Sequence, residues 1–188
     1  MASHRLILLF LVFSILVSCE NAPGISSPSD LEVLPYYDMK GLLEQEIEKL
    51  EGVKVTKTTR VNGEINKTEV NLTREQWKDE FDAFFRADIN RSSYLNSYTT
   101  EVDRDILIHR LKPEEKSAIK EIQVRIVDDR PVWISFKTAK ESPFYTSYTN
   151  GAVYFNNRNK TIDHYSIEST QKIWFLKANN MKIQGVIK

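Results

Sequence analysis

The sequence predicts an α+β fold: a curved antiparallel β-meander of about six to eight strands, covered by two helices from the N-terminal half and accompanied by an N-terminal β-hairpin. Two segments before residue 90 carry apolar residues at helical spacing. Between them, Asn62-Gly63 occupies the centre of a hairpin pattern. From Ile119 onward, short alternating runs are separated by turns rich in Asp, Asn and Pro, which is typical of a meander. A sheet this broad is expected to curl, because strand twist accumulates.

The first predicted helix runs from Tyr36 to Glu51. Its apolar residues recur at spacings of three and four, and charged residues occupy the other face. Gly52 follows as a C-terminal stop, because glycine readily adopts the left-handed conformation found after helices. We expect this helix to lie against the sheet. Its apolar positions are Met39, Leu42, Leu43, Ile47 and Leu50.

The hairpin occupies residues 53–72 and allows its register to be predicted. If Val61 and Glu64 flank a two-residue type I′ turn, the numbers of facing residues sum to 125. Val55 then faces Val70, and polar residues share the other face. The base of the hairpin is therefore expected to be apolar, with a polar tip in solvent.

The second predicted helix begins after Thr73, where Thr-Arg-Glu-Gln matches a capping box. An aromatic stripe follows at helical spacing. Its position favours core packing, and an aromatic ligand site is the alternative. The stripe consists of Trp77, Phe81, Phe84 and Phe85.

In the meander, three turns are predicted from local chemistry. Asp128-Asp129 fits a tight turn better than an acid/base pair. A turn at Asn150-Gly151 would place Tyr148 opposite Val153. A turn at Asn179-Asn180 would place Trp174 opposite Gly185, a large ring over a glycine. Residues 88–118 are expected to contain two extended segments and a helical turn beginning at Pro113.

The N-terminus predicts export. The apolar run Leu6–Val17 spans 12 residues, too few to cross a bilayer but typical of a secretory signal. It ends at Leu16-Val17-Ser18-Cys19, which resembles the lipobox of bacterial lipoproteins. The resemblance implies that residues 1–18 are a removable signal peptide and that Cys19 carries lipid (palmitate or similar acyl chains). Glu20 in the next position implies the outer membrane. The alternative is an ordinary signal that ends beside an unpaired cysteine.

Three segments therefore make up the predicted organisation: a signal peptide at 1–18, a flexible tether at 19–35 and a single α+β domain at 36–188. The charges balance, with 26 basic and 26 acidic residues, which gives no electrostatic case for nucleic acid. With one cysteine, the chain can form neither a disulfide framework nor a thiolate metal site. We expect no metal and no cofactor.

Catalytic motifs are absent from the sequence. There is no Gly-x-Ser-x-Gly elbow and no phosphate loop. Outside the predicted signal peptide the histidines are His109 and His164, at no metal-binding spacing. Asp163 precedes His164, but neighbours in a regular strand point to opposite faces, so the pair is not expected to form a dyad.

A binding role is expected instead. Tyr145, Tyr148 and Tyr154 lie among Ser, Thr and Asn, a composition found on surfaces that bind sugars or proteins. The alternative is that aromatic residues simply favour strands. The sequence thus predicts a lipid-anchored envelope protein with a non-enzymatic binding or accessory domain, whose partners are the membrane and an envelope protein or hydrophobic ligand. A lipid carrier with a half-barrel pocket and an envelope hydrolase using carboxylates or the histidines are the alternatives.

Overall fold

The computed structural model describes residues 34–188. The predicted signal peptide, Cys19 and nearly all of the predicted tether lie outside the described residues. The helices within them are α1 (Met39–Leu50), α2 (Arg74–Glu80) and α3 (Asp82–Arg86), with a short 3₁₀ turn at Ser92–Tyr94. The strands are β1 (Lys54–Val61), β2 (Glu64–Asn71), β3 (Tyr98–Asp103), β4 (Ile106–Leu111), β5 (Ile119–Val127), β6 (Arg130–Ser142), β7 (Tyr145–Phe155), β8 (Ile162–Ile173) and β9 (Asn179–Ile187).

All nine strands of this region form one open antiparallel sheet in the order β2-β1-β9-β8-β7-β6-β5-β4-β3. The predicted α+β class and the meander are confirmed. The hairpin register is also confirmed, since Val55 pairs with Val70. What the pattern did not predict is that the hairpin joins the meander: Val55 also pairs with Ile187, which places β1 beside the last strand.

Helix α1 begins after Asp38, whose side chain accepts a hydrogen bond of 2.8 Å from the Gly41 amide. It ends before Gly52, which has a φ of +72° as the C-terminal stop requires. The apolar face is buried as predicted. That face also contains Glu46, an acidic residue that is only 3% exposed.

The capping box at Thr73 is present, with both reciprocal hydrogen bonds between Thr73 and Gln76. The aromatic stripe packs in the core as expected, and Trp77, Phe81 and Phe84 are fully buried. The Phe84 ring lies 4.9 Å from the Phe136 ring of the sheet. Helices α2 and α3 therefore attach to one face of the sheet through aromatic contacts.

The predicted turn at Asn150-Gly151 is wrong. Strand β7 runs through it without interruption, and Val153 pairs with Ile134 of β6. Gly151 is required for another reason, because a Cβ atom at this position would lie 2.2 Å from Cε1 of Phe136. The glycine makes room for a core ring in the middle of a strand.

The predicted turn at Asn179-Asn180 is also wrong. β8 ends at Ile173, residues 174–178 form the connection, and the asparagines already belong to β9. Gly185 does lie beneath a large ring, but the ring belongs to Tyr165 and not to Trp174. The prediction of a large ring over Gly185 was correct, but the residue that supplies the ring was predicted wrongly.

The remaining turns follow their local chemistry. Asp128 and Asp129 have φ values of 51° and 58°, as a type I′ turn between β5 and β6 requires. The two extended segments expected in residues 88–118 are β3 and β4. Near Pro113, the amide of Glu115 donates to the carbonyl of Lys112 at 3.0 Å, which closes a turn.

Candidate functional site

An exposed group of large apolar side chains lies at one end of the sheet. The β6–β7 and β8–β9 connections are neighbours there, because Tyr145 at the start of β7 pairs with Ile173 at the end of β8. The Trp174 amide donates to the Phe144 carbonyl at 3.0 Å, and the two rings lie 6.1 Å apart. We call this group the aromatic tip; its side chains are Phe144 (66% exposed), Trp174 (70%), Phe175 (78%) and Leu176 (50%).

Basic residues surround the aromatic tip. Residues 139–148 and 170–181 contain Lys140, Lys172 and Lys177 against the single acid Glu141, so three positive charges minus one negative charge give +2. The Lys172 ammonium donates to the carbonyl of Leu176 and so fastens the β8–β9 connection. The tip is thus a compact apolar surface with a positive border.

Nothing in the packing of the domain explains why these residues are apolar. A turn that faces water is normally built from Gly, Asn, Asp, Ser or Pro. Contiguous exposed apolar surface instead marks an interaction site. The signal was present in the sequence as Ile-Trp-Phe-Leu between Lys172 and Lys177, but this run resembled a buried strand, and its exposure became visible only with the fold.

The three tyrosines predicted to form a binding surface do not share a face. Tyr148 and Tyr154 lie on the face of β7 away from the helices, six residues and about 20 Å apart. Tyr145 has the opposite parity and points to the helix-bearing face. The Tyr148 hydroxyl donates to Glu141, which raises the pKa of the phenol. Tyr145 and Tyr148 border the aromatic tip, whereas Tyr154 does not, and a binding role for these tyrosines stays a prediction.

His109 is a structural residue. Its side chain is buried between β3 and the chain that precedes α1. The Tyr37 amide donates to Nε2 at 3.1 Å, so the ring proton is on Nδ1, which lies 2.9 Å from the Thr100 hydroxyl oxygen. Burial lowers the pKa of His109 to about 4. The ring is therefore neutral at physiological pH and has no access to a substrate.

The expectation that Asp163 and His164 cannot contact each other is wrong. A β-bulge leaves Asp163 without a partner in β7, because Tyr154 pairs with His164 and Phe155 pairs with Ile162. The bulge turns Asp163 toward its neighbour, and His164 Nδ1 lies 2.8 Å from Oδ2. The hydrogen bond from His164 holds the pKa of Asp163 below its usual range.

The two histidines cannot act at a common point. His109 faces the helices and His164 faces away from them, where its ring stacks on Tyr154 at 4.3 Å. Their strands β4 and β8 are four positions apart in the sheet, or about 19 Å. A hydrolase that uses both histidines is inconsistent with this placement.

Residues 34–188 lack two features. No group of three or more His, Cys, Asp or Glu in this region could hold a metal ion. No helix in it has the length and apolar character needed to cross a membrane.

Comparison with known proteins found no matching family model, no matching curated protein and no matching solved structure.

Proposed function

We propose that this protein is a bacterial envelope lipoprotein, anchored through Cys19 to the outer membrane, with a non-enzymatic binding domain that rests its aromatic tip in the bilayer interface. The anchor is inferred from Leu16-Val17-Ser18-Cys19. The observation that carries the orientation is the exposed group of Phe144 and residues 174–176. Trp and Phe side chains partition into the interfacial region of a bilayer.

The lysine border supports a bilayer as the occupant. Lys140, Lys172 and Lys177 are placed to meet anionic headgroups while the rings enter the acyl boundary, and each lysine near such a surface contributes about 1 kcal/mol. A protein partner is the competing occupant. It would be expected to cover a broader and flatter surface than the tips of two adjacent turns.

The entry point of the chain agrees with this orientation. Tyr98, the first residue of β3, donates its amide to the Tyr36 hydroxyl, so the described chain begins near the end of the sheet that carries the aromatic tip. Cys19 and Leu34 are 15 residue steps apart (34 minus 19), which span at most about 50 Å. β3 and β8 are five strand spacings apart, about 24 Å. Anchor and tip can therefore contact the same bilayer.

The lipid carrier has less support. It needs an apolar cavity on the helix-bearing face of the sheet, but Trp77, Phe81 and Phe84 are packed there with no exposed surface. Phe81 lies 5.1 Å from the Tyr165 ring of β8. That face is therefore occupied by core side chains.

The experiment tests the aromatic tip independently of the lipid anchor. The mature chain, residues 19–188 with Cys19→Ser, is mixed with vesicles of phosphatidylethanolamine and phosphatidylglycerol, and binding is measured by flotation. We expect binding that Trp174→Ser with Phe175→Ser weakens at least about tenfold, because two rings lose their burial in the interface. A control with Val102→Ser and Val186→Ser removes two exposed apolar residues (72% and 52%) outside the aromatic tip and should bind like the parent.

Incorporation of labelled palmitate into the wild type, and none into Cys19→Ser, would establish the anchor. Equal vesicle binding by the tip variant and the control would contradict the orientation without affecting the anchor. If the tip variant lost cross-links to one envelope protein while its vesicle binding stayed unchanged, the tip would be a protein-docking surface.

A further inference from the structure

A cleft lies at the end of the sheet opposite to the aromatic tip. Its walls are α1, the β5–β6 turn and the β7–β8 loop at residues 156–161, and its volume is about 780 Å³. Small-molecule sites generally have volumes of about 300–1,000 Å³. We call it the turn-end cleft. In the orientation proposed above it faces away from the bilayer, but it is a separate site and does not depend on that proposal.

Glu46 lines the turn-end cleft and is an almost completely buried acidic residue. This residue belongs to the buried face of α1, and its side chain is 4% exposed. Oε1 accepts a hydrogen bond of 2.6 Å from Lys49, but Oε2 is buried and has no hydrogen-bond partner within residues 34–188. A buried carboxylate oxygen without a donor is costly. A ligand that brings an N–H donor into the cleft would remove this cost.

Two cations without salt bridges in the described part of the chain also line the turn-end cleft. They are Arg130 at the start of β6 and Lys160 in the β7–β8 loop. A third lining cation, Arg125, is already paired with Asp105 at 2.7 Å. Asp128 adds a second acid beside Glu46, so apart from Arg125 the lining carries two acids and two cations; of these four only Glu46 has a salt bridge within residues 34–188, through Oε1 to Lys49, and its Oε2 is left without a partner there.

The lining also contains apolar side chains. Leu42 of α1, Pro131 of β6 and Phe155 of β7 contribute to the lining. A fatty-acid or other lipid chain is a poor fit for a cleft that carries five charged side chains. A neutral molecule with a positive end, an apolar body and a negative end matches the lining better.

We propose that the turn-end cleft binds a small zwitterion of the amino-acid or short-peptide class. The ligand ammonium donates to Glu46, and its carboxylate is bound by Arg130 and Lys160. Binding is non-covalent, and specificity comes from the pairing of both termini with opposite charges of the cleft.

The probe is the tripeptide alanyl-leucyl-alanine, titrated into full-length protein in detergent and measured by calorimetry. We expect one site per chain. Acetylation of the peptide amino group or amidation of its carboxyl group should each weaken binding at least about tenfold, since each removes one charged pair. These two derivatives test the wild type directly and do not depend on any variant folding.

Variants then assign each end of the ligand. Glu46→Gln should weaken binding of the free tripeptide at least about tenfold but leave the acetylated peptide unaffected, because the two changes remove the same contact. The double variant Arg130→Gln with Lys160→Gln should likewise weaken binding of the free tripeptide at least about tenfold. It should leave binding of the amidated peptide unaffected. Glu44→Gln, on the exposed face of α1, and Lys67→Gln, on the exposed strand β2, are matched controls and should bind like the wild type.

The proposal is overturned if the free tripeptide does not bind at millimolar concentration. It is also overturned if blocked and free peptides bind equally, or if the control variants weaken binding as much as Glu46→Gln. Thermal unfolding of every variant checks that differences in binding do not arise from loss of the fold.

Discussion

The domain contains two groups of one tryptophan and two phenylalanines that differ completely in exposure. Trp77, Phe81 and Phe84 on α2 and α3 form a buried cluster with no exposed surface. The aromatic tip presents Trp174, Phe175 and Phe144 with about two thirds or more of each side chain exposed. The buried cluster stabilises the fold, whereas the aromatic tip contributes little to stability and is available for a partner.

The difference between the two groups lies in their sequence spacing. The buried residues recur every three or four positions, so a helix brings them onto one face that must be covered. Trp174 and Phe175 are consecutive residues of the β8–β9 connection, and in an extended strand they would point to opposite faces. Phe144 joins them only because β7 and β8 are neighbours.

The largest expected contrast comes from the same substitution in both groups. Trp77→Ala should lower the free energy of unfolding by about 3–5 kcal/mol, because it opens a cavity and removes the hydrogen bond from Nε1 to the Leu50 carbonyl. Trp174→Ala should change it by no more than about 0.5 kcal/mol. Urea unfolding followed by circular dichroism measures both. A large loss of stability in Trp174→Ala would mean that the tip belongs to the core.

A substitution in the sheet should also disrupt the buried cluster. Gly151→Ala places a Cβ atom within 2.2 Å of the Phe136 ring on which Phe84 packs. We expect a loss of about 2–3 kcal/mol from overpacking. In a Phe136→Ala background the same substitution should be nearly neutral, and a double-mutant cycle of thermal unfolding measures the coupling. A full loss in both backgrounds would show that strain at Gly151 has another cause.

A smaller effect is expected in the pH dependence of the free energy of unfolding, through the buried residue His109. The pKa of His109 is about 4 in the fold, below its ordinary value of 6.5, so the unfolded chain binds the proton first as the pH falls. The stability that neutral His109 contributes is therefore complete above about pH 6.5 and declines as the pH falls toward 4. Between pH 7 and pH 5 the loss from this group should be about 2 kcal/mol.

His109→Gln should reduce the difference in unfolding free energy between pH 7 and pH 5 by this amount, as measured with urea at each pH. Lys67→Gln, on the exposed strand β2, is the control and should leave the wild-type pH difference unchanged. If both variants kept the full pH difference, His109 would not be the group responsible.

Short-range features were the ones that the sequence predicted well. The capping box at Thr73 and the hairpin register around Asn62-Gly63 depend on residues less than 20 positions apart, and both are present. The candidate sites were predicted less well. The Asp163–His164 contact depends on a bulge, and Glu46 was overlooked although it occupies a position on the apolar stripe of α1, three residues after Leu43.

The sequence by itself determined the first helix, the helical character of the segment after Thr73, the first hairpin and the alternation that makes a meander, because each depends on the intrinsic periodicity of a few consecutive residues. The division of that segment at Phe81 into α2 and α3 was not predicted. The tertiary structure alone decided that Gly151 lies within a strand, that Trp174 is exposed and that β1 pairs with β9. In each of these cases the deciding neighbour is distant along the chain or belongs to another strand: the Phe136 ring for Gly151, Phe144 for Trp174 and Ile187 for Val55. Local chemistry permits both a turn and a strand at Asn-Gly, and only the surrounding side chains select between them.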